Sequence, residues 1–280
     1  MKARHLILFI ALITGLQAGG QILNIHTDNT FDSDSIKREY DRGPYFGLYK
    51  DNYIIFGPSI GPKPTVHNTN VKFQISISQK LTRSTLPWGT YLYLYYTQKV
   101  FWNILENSMP MTDLNFNPGI GIAKPIYSNH RYIGKATLQI EHESNGRDNA
   151  ESRSWNKISL GANIIIDQNL IVHGKFWIPI VDGVNNKDIL KYCGIYQVGT
   201  SIMSNNRRWS GNIVLVKRQS WNLFNFNTVL ELAFRISRSQ NQFLFLQYYN
   251  GYGEGLLDYK KFHSQLRLGF VIKPVLFSDF

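Results

Sequence analysis

Cysteine is almost absent from this chain of 280 residues, which contains only Cys193. One cysteine cannot form an intramolecular disulfide, which disfavours a small secreted domain held together by disulfides. Long apolar stretches are also missing: after the N-terminal segment, no run approaches the roughly 20 residues of a membrane-spanning helix. A helical membrane protein is therefore excluded. Acidic residues are scarce too, with 19 Asp and Glu against 30 Lys and Arg.

The first residues have the three parts of a secretory signal peptide. Residues 1–5 are basic, residues 6–13 form a short apolar run, and small residues begin at Ala18. We predict a signal peptide over residues 1–18; a buried N-terminal strand or helix is the alternative. Residues 19–43 are polar without a strand pattern, and we expect them at a periplasmic mouth or partly disordered. An exported chain with a net charge of +11 is expected to meet an anionic membrane surface and no nucleic acid.

Most of the remaining chain alternates between apolar and polar residues. Residues 71–78, 230–237 and 266–272 are the clearest examples. Because successive side chains of a strand point to opposite faces, each segment predicts a strand with one apolar and one polar face. Twelve such segments are predicted, at residues 44–57, 70–82, 89–102, 114–126, 130–144, 154–166, 170–181, 190–204, 208–219, 224–237, 241–250 and 263–280.

Twelve long segments separated by short turns predict an all-β fold, a twelve-stranded antiparallel transmembrane β-barrel over residues 44–280. The apolar faces of such a barrel contact lipid and the polar faces line its lumen. A soluble β-sandwich or lipocalin-like barrel is the alternative. The even strand number, the strand lengths and the terminal Phe280, an aromatic end typical of bacterial outer-membrane barrels, favour the membrane barrel.

One predicted strand carries polar residues on its apolar face. Its even positions are Ala136, Leu138, Ile140, His142 and Ser144. Because alternate side chains share a face, His142 and Ser144 are predicted to point towards lipid near the end of the strand. Polar groups are costly there unless they have a function. An enzyme whose substrate is the lipid itself would need this placement.

The following strand places Asn156 in phase with apolar residues, so it also begins a lipid-facing row. A hairpin folded symmetrically about residue 149 would set Asn156 opposite His142. Directly opposed side chains have Cβ atoms about 4.5–5.5 Å apart. Asn156 could then accept a hydrogen bond from one imidazole nitrogen, while the other nitrogen takes the proton of Ser144.

Residues 142–147 (HESNGR) and 152–156 (SRSWN) resemble the active-site signature of the outer-membrane phospholipase A family. Further stretches between about residue 70 and the C-terminus resemble the same family. They are Tyr96-Thr97-Gln98-Lys99 with Trp102, Asn107-Ser108-Met109-Pro110 with Asn117-Pro118, Lys191-Tyr192 with Tyr196-Gln197, and Gly251-Tyr252-Gly253-Glu254 with Asp258-Tyr259.

The resemblance implies a twelve-stranded barrel and calcium-dependent hydrolysis of glycerophospholipids and lysophospholipids, with phospholipase A1 and A2 activity. It implies a catalytic triad of Ser144, His142 and Asn156, with the Gly146 N–H holding the oxyanion. The implied calcium ligands are the Arg147 carbonyl, Ser152, and Ser108 from a second subunit. The family is active as a homodimer with a buried glutamine, which corresponds to Gln98.

Two departures from the family pattern concern calcium and the dimer. Asp148 directly follows Arg147, where the family usually has its aspartate one position later, and Asn149 takes that place. The connection before Pro110 also looks shortened. The functional alternatives are a non-enzymatic porin or structural barrel, an inactive family member, and a lipopolysaccharide deacylase. The expected location is the bacterial outer membrane.

Overall fold

The computed structural model describes residues 33–82, 86–181, 184–237 and 241–274. The signal peptide predicted over residues 1–18 lies outside these ranges and stays a prediction. The same holds for the end of the last predicted strand, which includes Phe280. Two α-helices occur in the described ranges, α1 (Ser33–Arg42) and the single turn α2 (Leu190–Cys193). Neither helix is long and apolar enough to cross a bilayer.

The described chain contains thirteen strand segments in one antiparallel sheet. They are β1 (Phe46–Leu48), β2 (Asn52–Pro58), β3 (Thr69–Lys80), β4 (Tyr91–Trp102), β5 (Met111–Ser128), β6 (Arg131–Ser144), β7 (Ser154–Ile165), β8 (Leu170–Ile180), β9 (Tyr196–Met203), β10 (Trp209–Lys217), β11 (Phe226–Arg235), β12 (Gln242–Tyr252) and β13 (Phe262–Ile272).

The sheet closes into a barrel with twelve strand positions. β1 and β2 pair with successive parts of the same edge of β3, so together they fill one position. β13 pairs with β2, and β3 continues to β4, which completes the ring. The predicted twelve-stranded antiparallel β-barrel is therefore confirmed.

The prediction of one continuous strand over residues 44–57 is wrong, because the chain breaks between β1 and β2. The Asn52 side chain takes over ladder hydrogen bonds there: its amide donates to the Ser76 carbonyl at 2.9 Å and its oxygen accepts from the Ser76 N–H at 2.8 Å. Gln74 donates to the Asp51 carbonyl at 2.8 Å. These side-chain bonds satisfy the backbone where regular pairing stops.

The prediction of a strand beginning at residue 190 is also wrong, since α2 precedes β9. Ile189 is fully buried against Trp177, Leu256 and Tyr259. This packing favours a helical turn over the extended chain that the local sequence pattern indicates.

Within the polar segment 19–43, residues 33–42 form α1, and the expected place of the segment at the periplasmic mouth stays a prediction. Tyr40 packs against Tyr91 and Tyr132 at the barrel end where β6 begins. The Lys80 ammonium fastens the helix by donating to the Tyr40 carbonyl at 2.6 Å. The catalytic candidates lie at the opposite end, where β6 finishes.

The lumen is lined by polar and charged side chains, many of which pair with one another. Glu254 is buried and pairs with Arg267 at 2.6 Å and with Lys72 at 3.1 Å. Lys72 also donates to Gln247 at 2.8 Å. Buried charges of this kind need such partners, and the network ties the connection 253–261 to the barrel wall.

Candidate active site

The two strands of the candidate site show the expected division of faces. On β6, Leu138 and Ile140 are 46% and 60% exposed, whereas Gln139 and Glu141 are 1% and 4% exposed. The exposed apolar row is the lipid face of the barrel, and the buried polar row lines the lumen. His142 continues the exposed row, so the predicted outward direction of this part of β6 is confirmed.

His142 and Asn156 face each other across β6 and β7, as the symmetrical hairpin predicts. His142 Nδ1 lies 2.8 Å from Asn156 Oδ1. If Nδ1 carries the proton, it donates to the amide oxygen, and Nε2 is left as an acceptor. Ser144 follows two residues along the same face, roughly 7 Å further along the strand.

Strand β5 borders this pair on the other side. Pro118 lies between residues that pair with Ser144 and Glu141, so its ring falls opposite His142. Proline has no N–H to donate to the sheet. The Asn117 side-chain amide donates to the His142 carbonyl at 2.7 Å instead, which keeps the backbone of the histidine fixed.

The connection 145–153 is organised by one buried side chain that sequence reasoning did not single out. Asn145 Oδ1 accepts from the backbone N–H of Arg153 at 3.0 Å and of Arg147 at 3.3 Å. Its amide donates to the Glu151 carbonyl at 2.8 Å. An Asn directly before a Gly was the only sequence signal for this role.

Gly146 has a φ of +63°, a conformation that favours glycine. A Cβ at this position would lie 2.9 Å from Cε2 of Phe116. Phe116 itself pairs with Ser144 across β5 and β6. The aromatic ring therefore holds Gly146 close to the serine, and both the backbone angle and the space require glycine.

The calcium candidates on this connection are oxygen donors. Ser152 is half-buried, and the Arg147 guanidinium is held by Glu151 at 2.5 Å and by the Thr112 carbonyl at 2.6 Å. Ser108 is exposed, with a φ of +66°, on the connection between β4 and β5. In the described part of the chain, no three His, Cys, Asp or Glu side chains converge as a metal-binding group.

Gln98 lies on the outer face of β4 in the same phase as the exposed Leu94. It pairs with Phe116, which in turn pairs with Ser144, so the three side chains form one row across β4, β5 and β6. The Tyr96 hydroxyl donates to Gln98 Oε1 at 3.3 Å. Two of the three, Gln98 and Ser144, are polar, and polar side chains on a lipid face are unusual and indicate function.

The connections 184–195 and 253–261 pack behind β6 and β7 on the lumen side. Trp155 and Tyr259 are buried in one cluster with Ile189. The Tyr259 hydroxyl donates to Asp188 at 2.5 Å. Burial, and then this hydrogen bond, raise the pKa of Tyr259 to about 12. The phenol therefore stays protonated and keeps donating across the neutral pH range.

Comparison with known proteins identifies a family of similar sequences. A family model described as phospholipase A1 matches residues 49–272. Phospholipase A1 of Escherichia coli K12 is 31% identical over 212 residues, which cover 71% of this chain and 67% of the relative. Phospholipase A1 of Salmonella typhimurium is 28% identical over 261 residues, or 85% of each chain.

Solved structures give the same result for the fold. Outer membrane phospholipase A from E. coli matches with a TM-score of 0.72 and 25% identity, covering 83% of this chain and 99% of that one. The Salmonella typhi outer membrane phospholipase, solved as a dimer with bound calcium, has a TM-score of 0.71 and 22% identity. That match covers 88% of this chain and 98% of that one.

The closed barrel with an apolar exterior, together with the family match over residues 49–272, defines an outer-membrane β-barrel phospholipase. The family match spans most of the chain, and the chain belongs to the phospholipase A1 family. The resemblance and the outer-membrane location that we predicted from the sequence are both confirmed.

Proposed function

We propose that this protein is a calcium-dependent phospholipase A that hydrolyses acyl esters of glycerophospholipids and lysophospholipids in the outer leaflet, with A1 and A2 activity. The observation that carries the proposal is the His142–Asn156 hydrogen bond of 2.8 Å on the lipid face, with Ser144 next in the same row. A lipid in the outer leaflet can reach this face by lateral diffusion, without entering the lumen.

The proton transfers follow from the tautomer of His142. Asn156 holds Nδ1–H, and Nε2 takes the proton of the Ser144 hydroxyl as its oxygen attacks the acyl carbonyl. Nε2–H then protonates the oxygen of the lysolipid as it leaves. A water molecule gives its proton to Nε2, attacks the acyl-enzyme, and releases the fatty acid while Ser144 regains its proton.

The backbone N–H of Gly146 is the candidate oxyanion donor. It belongs to the connection that Phe116 holds beside Ser144, and its position is fixed by the Asn145 hydrogen bonds to the same connection. A preorganised donor of this type contributes about 3–4 kcal/mol to the transition state. The proposed oxyanion donor is therefore a backbone group and not a charged side chain.

The donor set of the connection suits a hard cation. The Arg147 carbonyl, the Ser152 hydroxyl and Ser108 of a second copy are oxygen ligands of the kind that calcium binds. The Arg147 side chain is compensated by Glu151, so its positive charge is paired within the same connection. When bound, calcium would supply positive charge beside the acyl carbonyl oxygen.

A homodimer is proposed as the active state. Ser108 is exposed rather than buried in its own subunit, as a ligand for a second copy must be. Gln98 gives the lipid face a polar side chain that a second copy of the chain could contact. The S. typhi relative forms a dimer with bound calcium, which supports the same arrangement here.

The test is fatty-acid release from detergent-dispersed phospholipid, with calcium and with a chelator. Ser144→Ala is compared with Ser154→Ala, a matched control because Ser154 lies directly opposite Ser144 on β7. We expect calcium-dependent release that is lost in Ser144→Ala and retained in Ser154→Ala. Release that survives Ser144→Ala, or that ignores the chelator, would contradict the proposal.

A further inference from the structure

The lumen side of the two catalytic strands carries a polar cluster that the proposed reaction does not use. It consists of Glu143, Trp155 and Lys157, which we call the lumen brace. Glu143 Oε2 accepts from Lys157 Nζ at 3.0 Å and from the Trp155 indole N–H at 3.1 Å. The Lys157 ammonium also lies 4.3 Å from the centre of the Trp155 ring. Each member of the brace therefore contacts the other two.

The lumen brace and the proposed triad lie on opposite faces of the same two strands, β6 and β7. Glu143 stands between His142 and Ser144, while Trp155 and Lys157 flank Asn156. Glu143 pairs with Trp155 in the same register that pairs His142 with Asn156. Because successive side chains alternate between faces, a shift or twist that breaks one of these cross-strand pairs also displaces the other.

We infer that the lumen brace sets the alignment of His142 with Asn156 and Ser144, which makes Glu143 and Lys157 positioning residues for ester hydrolysis. The inference rests on the proposed triad. None of the three side chains reaches the lipid face, so the brace acts only through the residues beside it. Lipid binding on the outer face should then be almost independent of the brace.

The brace is anchored to the rest of the barrel on its inner side. Trp155 is buried with Trp177, Ile189 and Tyr259. Glu143 and Lys157 keep only 18% and 13% of their side-chain surface exposed. Removing either charge leaves the opposite charge without its ion-pair partner in a largely buried position, which favours a rearrangement of the strand that carries it. That strand is β6 for Glu143 and β7 for Lys157, and both strands carry residues of the proposed triad.

The test compares Glu143→Ala, Lys157→Met and the conservative Lys157→Arg with wild type. Glu231→Gln is the matched control: it alters a lumen carboxylate that accepts two hydrogen bonds, on β11, which pairs with neither catalytic strand. Turnover is measured on phospholipid in micelles with calcium. A long-chain sulfonyl fluoride, whose sulfur bonds to the Ser144 oxygen as fluoride leaves, counts the active sites.

The two disruptive variants are expected to lower kcat per labelled site by about 10- to 100-fold, the effect of a small misplacement of reacting groups. KM should stay within about 2-fold, since the lipid binds on the other face. The labelling amplitude should be preserved while its rate falls with kcat. Lys157→Arg should recover most of the turnover, and Glu231→Gln should resemble wild type.

Turnover per site equal to wild type in both disruptive variants would overturn the inference. So would a loss of turnover fully matched by lost labelling amplitude, because the brace would then only keep the barrel folded. Failure of the proposed function looks different: wild type would release no fatty acid, or Ser144→Ala would release it undiminished. Either of these results would contradict both the proposed triad and the inference about the lumen brace.

Discussion

Replacing Asn156 by alanine removes the acceptor that holds the imidazole of His142. The hydrogen bond is 2.8 Å long and both side chains are half-buried. Leaving the Nδ1–H without its partner costs about 1–3 kcal/mol. Because about 1.4 kcal/mol corresponds to a tenfold change in rate, kcat should fall roughly 5- to 150-fold. The loss arises from the wrong tautomer or ring orientation rather than from lost lipid binding.

The assay is phospholipid hydrolysis in mixed micelles over a range of substrate concentrations and pH. Asn156→Asp is the informative companion, because it keeps an acceptor and adds a negative charge. A carboxylate oxygen at this position can still accept from Nδ1–H and adds a negative charge beside the imidazolium that forms during proton transfer, so Asn156→Asp should keep more of the wild-type kcat than Asn156→Ala. Wild-type kcat in Asn156→Ala would refute the orienting role.

Three further predictions concern the oxyanion connection, the lumen and the dimer. Gly146→Ala places a methyl group against Phe116 at a positive φ, and kcat should fall at least about tenfold while far-ultraviolet circular dichroism shows an intact barrel. Glu254→Gln leaves Arg267 without its buried partner and should lower the free energy of unfolding by about 3–5 kcal/mol, measured by urea unfolding in detergent. Burial alone would raise the pKa of Glu254, but Arg267 holds that pKa below its usual range. The stabilisation that Glu254 contributes is therefore fully present above its unfolded-state pKa and is lost as the pH falls through its folded-state pKa. Gln98→Leu should weaken calcium-dependent dimerisation in analytical ultracentrifugation, with Gln197→Leu on the lumen side of β9 as the control, and unchanged association would contradict the interface assignment.

Much of the fold could be predicted because a membrane barrel obeys strict alternation. The apolar rows of β6 and β7 follow directly from period two, and they place His142 and Asn156 on the lipid face. The short connection between the strands limits the register, so their direct opposition could be predicted as well. These are consequences of local geometry and of lipid as the outer solvent.

The failures arise where contacts distant in sequence override local pattern. The break between β1 and β2 depends on Asn52 finding the backbone of Ser76 on another strand. The turn α2 depends on Ile189 being buried under Leu256 and Tyr259 of the connection 253–261 and Trp177 of β8. Neither partner can be identified from alternation alone, because alternation describes one strand at a time.

The supporting residues of the site were missed for a related reason. Asn145 and Asn117 act through backbone groups of other residues, and the alternation of the sequence contains no sign of these bonds. Glu143 and Lys157 have the sequence pattern of ordinary lumen residues, since the residues proposed for catalysis are their lipid-facing neighbours. Only the pairing of β6 with β7 shows that they meet directly behind the triad.

The most direct test of the account is to identify the nucleophile chemically. Purified protein is treated with a long-chain sulfonyl fluoride in calcium-containing micelles, digested, and mapped by mass spectrometry while the remaining hydrolysis is followed in parallel. The account predicts a single modification on Ser144 whose extent matches the loss of activity. Full loss of activity with Ser144 unmodified, or full modification of Ser144 with hydrolysis intact, would contradict it.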